Sequence, residues 1–183
     1  SEMCIRDRLT PAEEARLAQV REQFKQKQAI SNSLNSIKYR IGVYSGKGGV
    51  GKTTVTTNLA LMLAKSGKKV AILDCDIDCP NVTRVLKISN RPEADNEGKM
   101  IPPEKYGVSV MSMGFFQENE DEAIVWRGPM IHNAINQFIS KTNWGDIDYL
   151  ICDLPPGTSD APLTVMQTLN LDGFIIAVSY THL

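Results

Sequence analysis

Residues 45–54 read SGKGGVGKTT and lie between an apolar run, Ile41 to Tyr44, and a helix-patterned stretch opening at Thr53. This setting restricts the fold more than any other feature of the chain. Gly46, four residues, then Gly51-Lys52-Thr53 is the spacing of a phosphate-cradling loop between a strand and the helix it feeds. Glycines let the backbone curl so that successive N–H groups point inward at an anion. The helix adds its unpaired first-turn donors and the positive end of its dipole. Lys52 supplies a point charge for β- and γ-phosphates, and the Thr53 hydroxyl is placed to ligate Mg²⁺. Spacing alone makes Lys47 a solvated loop lysine.

The chain on either side fits the same architecture. Strands are expected at Ile41 to Tyr44, Val70 to Leu73, Val108 to Met111, Tyr149 to Cys152 and Phe174 to Val178. Helices are expected over 53–65, 128–140 and 161–169, with Gly67 closing the first. The strands are short and apolar on both faces. That predicts an α/β fold, doubly wound, with a mostly parallel sheet covered by helices on both faces. The apolar pattern of Phe174 to Val178 suits an interior strand, and with the sequence ending at Leu183 it is expected to be left as an exposed apolar edge of the sheet. Residues 89–105 read as a surface loop. Upstream, Thr10-Pro11-Ala12-Glu13 is a capping box for a helix to about residue 29, and Ser31 to Ser36 reads as a linker.

Hydrolysis of a phosphate ester needs carboxylates near the metal, and parallel strands deliver them at their C-terminal ends. Two strand ends carry them: ILDCDIDCPN, with Asp74, Asp76 and Asp78, and YLICDLPPGTSD, with Asp153. Asp153 is expected in the Mg²⁺ shell through water, Asp74 in its hydration shell, and Asp76 as the group that orients the attacking water. Asp78 reads as a solvated turn residue. Gly157 lets the backbone approach the γ-phosphate and move when it leaves.

KGGVGKTT resembles the deviant Walker A motif of the MinD/ParA/nitrogenase-iron-protein ATPases. Together with DYLICDLPPGTSDAPLTVMQ, SMGFF at 112–116 and WRGPM at 126–130, it resembles the Mrp/ApbC family of iron–sulfur cluster carriers over residues 34–179. The resemblance implies a P-loop NTPase that binds ATP and Mg²⁺ and forms a homodimer around ATP. It would deliver clusters to apo iron–sulfur proteins, with no nucleic-acid or membrane partner. It implies a nucleotide-binding set of Gly46, Lys47, Gly48, Gly49, Val50, Gly51, Lys52, Thr53 and Thr54. Catalysis falls to Lys47 (acting across the dimer), Lys52 and Asp76, and metal binding to Thr53, Asp74 and Asp153. No role for Trp126-Arg127-Gly128 follows from it. A spatial organiser of the MinD/ParA type, or an inactive fragment, is the alternative.

Three departures bear on the iron–sulfur reading. Asp78-Cys79-Pro80-Asn81 stands where the family often has a Tyr-Gly-Pro-Ser-like run, leaving Cys75 and Cys79 in a weak C-x₃-C. The N-terminus has Cys4 alone, and the family's cluster-binding C-x-x-C falls downstream of this sequence. The head EMCIRDR and tail SYTHL resemble translated adapter read-through. Residues 1–9 and 180–183 are therefore taken as non-native scars, 10–37 as a helix and linker, and 38–179 as an incomplete ATPase domain whose C-terminal part is missing. The cluster ligands are then expected in the full-length protein only.

Composition excludes less. The 183 residues are 42% hydrophobic and 22% charged, with net charge −1. That is globular composition without the basic excess of a non-specific nucleic-acid binder. The unpaired cysteines and the polar N-terminus suit a reducing cytoplasm.

Overall fold

The computed structural model describes residues 11–116, 128–158 and 160–180. Its core is a six-stranded sheet in the order β5-β6-β2-β7-β1-β8. The strands are β1 (Ile37–Tyr44), β2 (Val70–Asp74), β5 (Glu104–Lys105), β6 (Val108–Ser112), β7 (Ile147–Asp153) and β8 (Gly173–Ile176). All pair in parallel except the short edge strand β5. A two-stranded hairpin, β3 (Glu93–Ala94) with β4 (Met100–Ile101), lies within the expected surface loop.

Alternate residues of each central strand feed two cores, as the period of a strand requires. Val43, Val70, Ile72, Val108, Val110 and Ile151 face α2 (Lys52–Lys65) and α3 (Val82–Leu86). Ala71, Leu73, Met111, Leu150 and Cys152 face the other way. There they meet α1 (Pro11–Asn35), α4 (Gly128–Lys141) and α5 (Asp160–Leu169). The helix after β1 and the helix after β7 thus lie on opposite faces of neighbouring strands. The crevice this opens at the strands' C-terminal ends is where α/β sheets bind ligands.

The doubly wound sheet is as expected, as is the open edge at its last strand, and three details differ. Helix α1 runs through the stretch read as a linker, because Ile30 and the 8%-exposed Leu34 dock on the core beneath it and hold the polar turn helical. Strand β1 starts at Ile37, whose side chain is buried, four residues before its apolar run. Helix α3 and a 3₁₀ turn at Met113–Phe116 are too short to show a period. Strand β8 is an edge, paired with β1 alone, and its face carrying Phe174 (51% exposed) and Ile176 (64%) is open.

Gly42 explains how the crevice strand packs so closely on its neighbours. A Cβ there would stand 2.7 Å from Leu171 Cδ1 and 3.1 Å from both Leu154 Cδ1 and Phe174 Cδ1.

Candidate nucleotide site

The loop between β1 and α2 is built as its glycines predict. Gly49 (φ 75°) and Gly51 (φ 92°) adopt left-handed conformations that side chains disfavour. Gly51 caps α2, and no capping side chain bonds to the helix's first N–H groups. Its N–H groups are therefore left to the loop's concavity, the arrangement that suits an anion. Gly46, Lys47, Gly48, Gly49, Gly51 and Thr54 are exposed along this rim, and Val50 and Thr53 are half-buried.

Lys52 turns the other way, and its side chain is 7% exposed. Its Nζ lies 2.9 Å from Asp153 Oδ1 and 3.5 Å from Asp76 Oδ2. Asp153 has no exposed surface. Besides Lys52 it accepts the Thr53 hydroxyl at 2.7 Å and the Thr56 hydroxyl at 2.9 Å. One lysine thus ties together the ends of β2 and β7. The structure gathers Lys52, Thr53, Asp76 and Asp153 into one cluster at the mouth of the glycine loop, while Lys47 stays on the rim.

The aspartates differ sharply in surroundings. Burial raises the Asp76 carboxyl above its ordinary value, with a smaller push from Asp153, and Lys52 opposes the shift. Asp74 lies beneath the site, not in it. Burial, with the charge of Asp153 beside it, pushes its carboxyl up to about 7. Its oxygens are occupied by protein: the Asp76 N–H and the Val82 N–H at 3.2 Å, and the Ser112 hydroxyl at 3.1 Å. Asp153 is equally without exposed surface, and the two differ in partners: Asp153 accepts from Lys52, Thr53 and Thr56 of the loop and its helix, Asp74 from the β2–α3 segment and β6. Asp78 is exposed, as expected of a turn.

Gly157 (φ 90°) reaches back to the loop. Its N–H donates to Ser45 O at 3.0 Å, and its carbonyl accepts the Tyr44 hydroxyl at 2.7 Å. The segment after Asp153 is therefore latched to the first residue of the glycine loop.

The donor set fits Mg²⁺. This ion takes one or two protein oxygens and fills its octahedron with phosphate oxygens and water. The Thr53 hydroxyl and the Asp153 carboxylate are adjacent at the start of the helix that follows the loop. Among the described residues no group of three or more His, Cys, Asp and Glu could hold a metal alone. Among the described residues the cysteines differ in surroundings. Cys75 and Cys152 are enclosed, and burial pushes both thiols far above their ordinary range, whereas Cys79 is exposed, with the Asn81 amide on its sulfur. Trp126 and Arg127 lie outside the described residues.

Thr56 and Tyr44 were not singled out from the sequence, and Ser112 only as the first residue of SMGFF, without a role. Thr56 had a signal: it sits one helical turn beyond Lys52, on the face that must meet Asp153. Tyr44 had none short of the strand order.

Comparison with known proteins agrees with this geometry. The family described as ParA, NUBPL iron-transfer P-loop NTPase, matches residues 36–182. An iron–sulfur cluster carrier protein of Methanocaldococcus jannaschii is 44% identical over 152 residues, 82% of this chain and 52% of that protein. The iron–sulfur cluster transfer protein NUBPL of Dictyostelium discoideum is 42% identical over 83% of this chain and 47% of its own length. The chain thus spans about half the length of these curated relatives. A nucleotide-binding protein of Archaeoglobus fulgidus in complex with ADP superposes with a TM-score of 0.72 at 40% identity, over 82% of this chain and 58% of that one. The MinD protein of Pyrococcus horikoshii with Mg-ADP, at TM-score 0.51 and 22% identity over 76% of this chain and 57% of that one, shares the fold. An open glycine loop, a lysine and threonine on the helix behind it, and aspartates at the next strand ends are what such a match requires, and the chain belongs to the ParA family of P-loop NTPases, in its NUBPL iron-transfer group.

Proposed function

We propose that this chain is the ATP-binding and ATP-hydrolysing portion of an iron–sulfur cluster carrier. The observation that carries the reading is the Lys52–Asp153–Asp76 cluster, with Thr53 and Thr56, at the mouth of an uncapped glycine loop. The loop N–H groups and Lys52 hold the phosphates. Lys52 is already desolvated, so its charge acts strongly once it turns from the aspartates to the phosphates. Thr53 holds Mg²⁺ directly and Asp153 through water; bound there, the ion neutralises charge on the phosphate oxygens. Asp76 orients the attacking water, and its raised carboxyl pKa suits it to share that water's proton. Lys47, exposed on the rim, reaches the nucleotide of a second copy in a homodimer closed around ATP. Gly157, latched to Ser45, senses the γ-phosphate.

The cluster is cargo, delivered to apo iron–sulfur proteins. Among the described residues no cysteine pair is placed to hold it, and we assign its ligands to the sequence the relatives carry beyond this match. We place the work in a reducing cytoplasm, where Cys75, Cys79 and Cys152 remain thiols. No helix among the described residues is long and apolar enough to cross a membrane.

Binding and turnover of Mg-ATP test the reading. Lys47→Ala and Asp76→Ala should keep nucleotide affinity and lose most hydrolysis, because both act on the transition state. Mixing the two inactive variants should restore partial turnover, since one composite site of a mixed dimer keeps both residues. Wild-type turnover in either variant removes that residue from the mechanism, and no binding by the parent chain removes the reading.

A further inference from the structure

Strand β6 ends at Ser112 and runs straight into the 3₁₀ turn that begins Met113-Gly114. Its neighbour across the sheet is the end of β2, with Ser112 in register with Asp74. Both side chains lack exposed surface, and the Ser112 hydroxyl donates to Asp74 Oδ2 at 3.1 Å. The Gly114 N–H donates to Ser112 Oγ at 3.1 Å, which leaves the hydroxyl proton for Asp74. Asp74 passes the tie onward. Its Oδ1 accepts the Asp76 N–H and its Oδ2 the Val82 N–H, each at 3.2 Å. Both ends of the segment that joins β2 to α3 are thus fastened to one carboxylate.

A second contact holds the middle of that segment. A Cβ on Gly114 would stand 3.0 Å from Pro80 Cγ and 3.2 Å from Pro80 Cβ. The bare glycine backbone therefore lies directly against the proline ring. Between these fastenings the Cys79 N–H donates to Asp76 Oδ1 at 3.2 Å, and Asp76 Oδ2 faces Lys52.

We infer that the end of β6, through Ser112 and Gly114, is a clamp that positions Asp76 for nucleotide hydrolysis. The inference rests on the ATPase reading above. Ser112 and Gly114 are positioning residues: they act through Asp74 and Pro80. A reacting group must be held within a fraction of an ångström of its working position, and it is held by the hydrogen bonds behind it. The phosphate grip lies on β1 and α2, outside the clamp. Loosening the clamp should therefore slow turnover and spare nucleotide affinity, which general damage to the core would not do.

The test compares the full chain with its Ser112→Ala, Ser112→Thr and Gly114→Ala forms. Turnover, affinity for fluorescent Mg-ADP and hydrogen exchange of residues 75–82 are read in each. Ser112→Ala should lose about tenfold in turnover, the scale of one buried hydrogen bond, with affinity changed less than about twofold. Exchange over 75–82 should quicken while β1 stays protected, and Ser112→Thr, which keeps the hydroxyl, should restore both. Unchanged turnover and exchange in Ser112→Ala overturns the clamp, as does an equal loss of affinity. If Ser112→Ala does not fold, Gly114→Ala carries the same comparison through the Pro80 contact. If the parent neither binds nor hydrolyses nucleotide, the ATPase reading fails, and exchange at 75–82 alone decides whether the clamp holds the loop.

Discussion

Removing the charge of Lys52 without its bulk, as Lys52→Met, should cost stability as well as nucleotide binding. In the fold described here, Lys52 is the cation in contact with two carboxylates: Asp153, which has no exposed surface, and Asp76, which is 6% exposed. Asp74 adds a third acid beneath them. Breaking a buried pair by removing one partner costs about 3–5 kcal/mol, because the other charge stays buried and uncompensated. Domains of this size hold about 5–15 kcal/mol in total. The loss should lower the melting temperature by about 6–20 °C, at about 2–4 °C per kcal/mol. The assay is urea unfolding of the parent, Lys52→Met, Asp153→Asn and the double variant, with equal m-values as the check on two-state behaviour. In the double variant the Asn amide still accepts from Thr53 or Thr56 and the orphaned charge is gone. It should therefore be more stable than Lys52→Met alone, with a coupling above about 1 kcal/mol. Additive losses, or a Lys52→Met form within about 1 kcal/mol of the parent, would refute the view that Lys52 neutralises the strand-end acids. Loss of ATP binding in a lysine variant has to be read on protein shown to be folded.

Three further outcomes follow from packing and charge. Gly42→Ala should destabilise by about 1–3 kcal/mol in thermal melts, since its Cβ would press into Leu171, Leu154 and Phe174 side chains; a neutral result would show that those leucines can move aside. Ile176→Lys should raise solubility, measured as the concentration at which light scattering begins, because it sets a charge on the open edge strand β8. The Arg40 guanidinium holds the Asp172 carboxyl below its ordinary 3.8, so this pair stabilises at neutral pH and the contribution fades as pH falls through the folded value. The gap in melting temperature between the parent and Asp172→Asn should accordingly close on acidification below about pH 4, and a constant gap would assign it to packing.

The glycine loop, the parallel sheet and the pair of acidic strand ends were legible because each is a local pattern with one physical reading. Gly49 and Gly51 take the left-handed turns that such a loop needs, and Asp153 closes an apolar strand beside it. Misreadings came where tertiary contact overrides local chemistry. Ser31 to Ser36 is polar enough for a linker, yet Ile30 and Leu34 bury against the core and keep the chain helical to Asn35. Phe174 to Val178 has the composition of an interior strand, and in the described residues β8 is the sheet edge with that apolar face open, as expected where the sequence ends at Leu183.

The aspartates show where sequence reasoning stops. Asp74 and Asp76 stand two apart at the end of one strand, and pattern alone gives them similar tasks. Whether a carboxylate meets solvent or protein depends on what its neighbouring strand presents. Here β6 places Ser112 in register with Asp74, and the chain then turns so that the N–H groups of Asp76 and Val82 close over the same carboxylate. Asp76 lies past the last residue of β2, where the backbone has left the ladder, and its side chain swings toward Lys52. A register shift of one residue would exchange which face each acid meets, and no local propensity encodes that register. Which of the two acids meets Ser112 and which meets Lys52 is therefore a property of the β2–β6 pairing, written nearly forty residues away from the acids it governs.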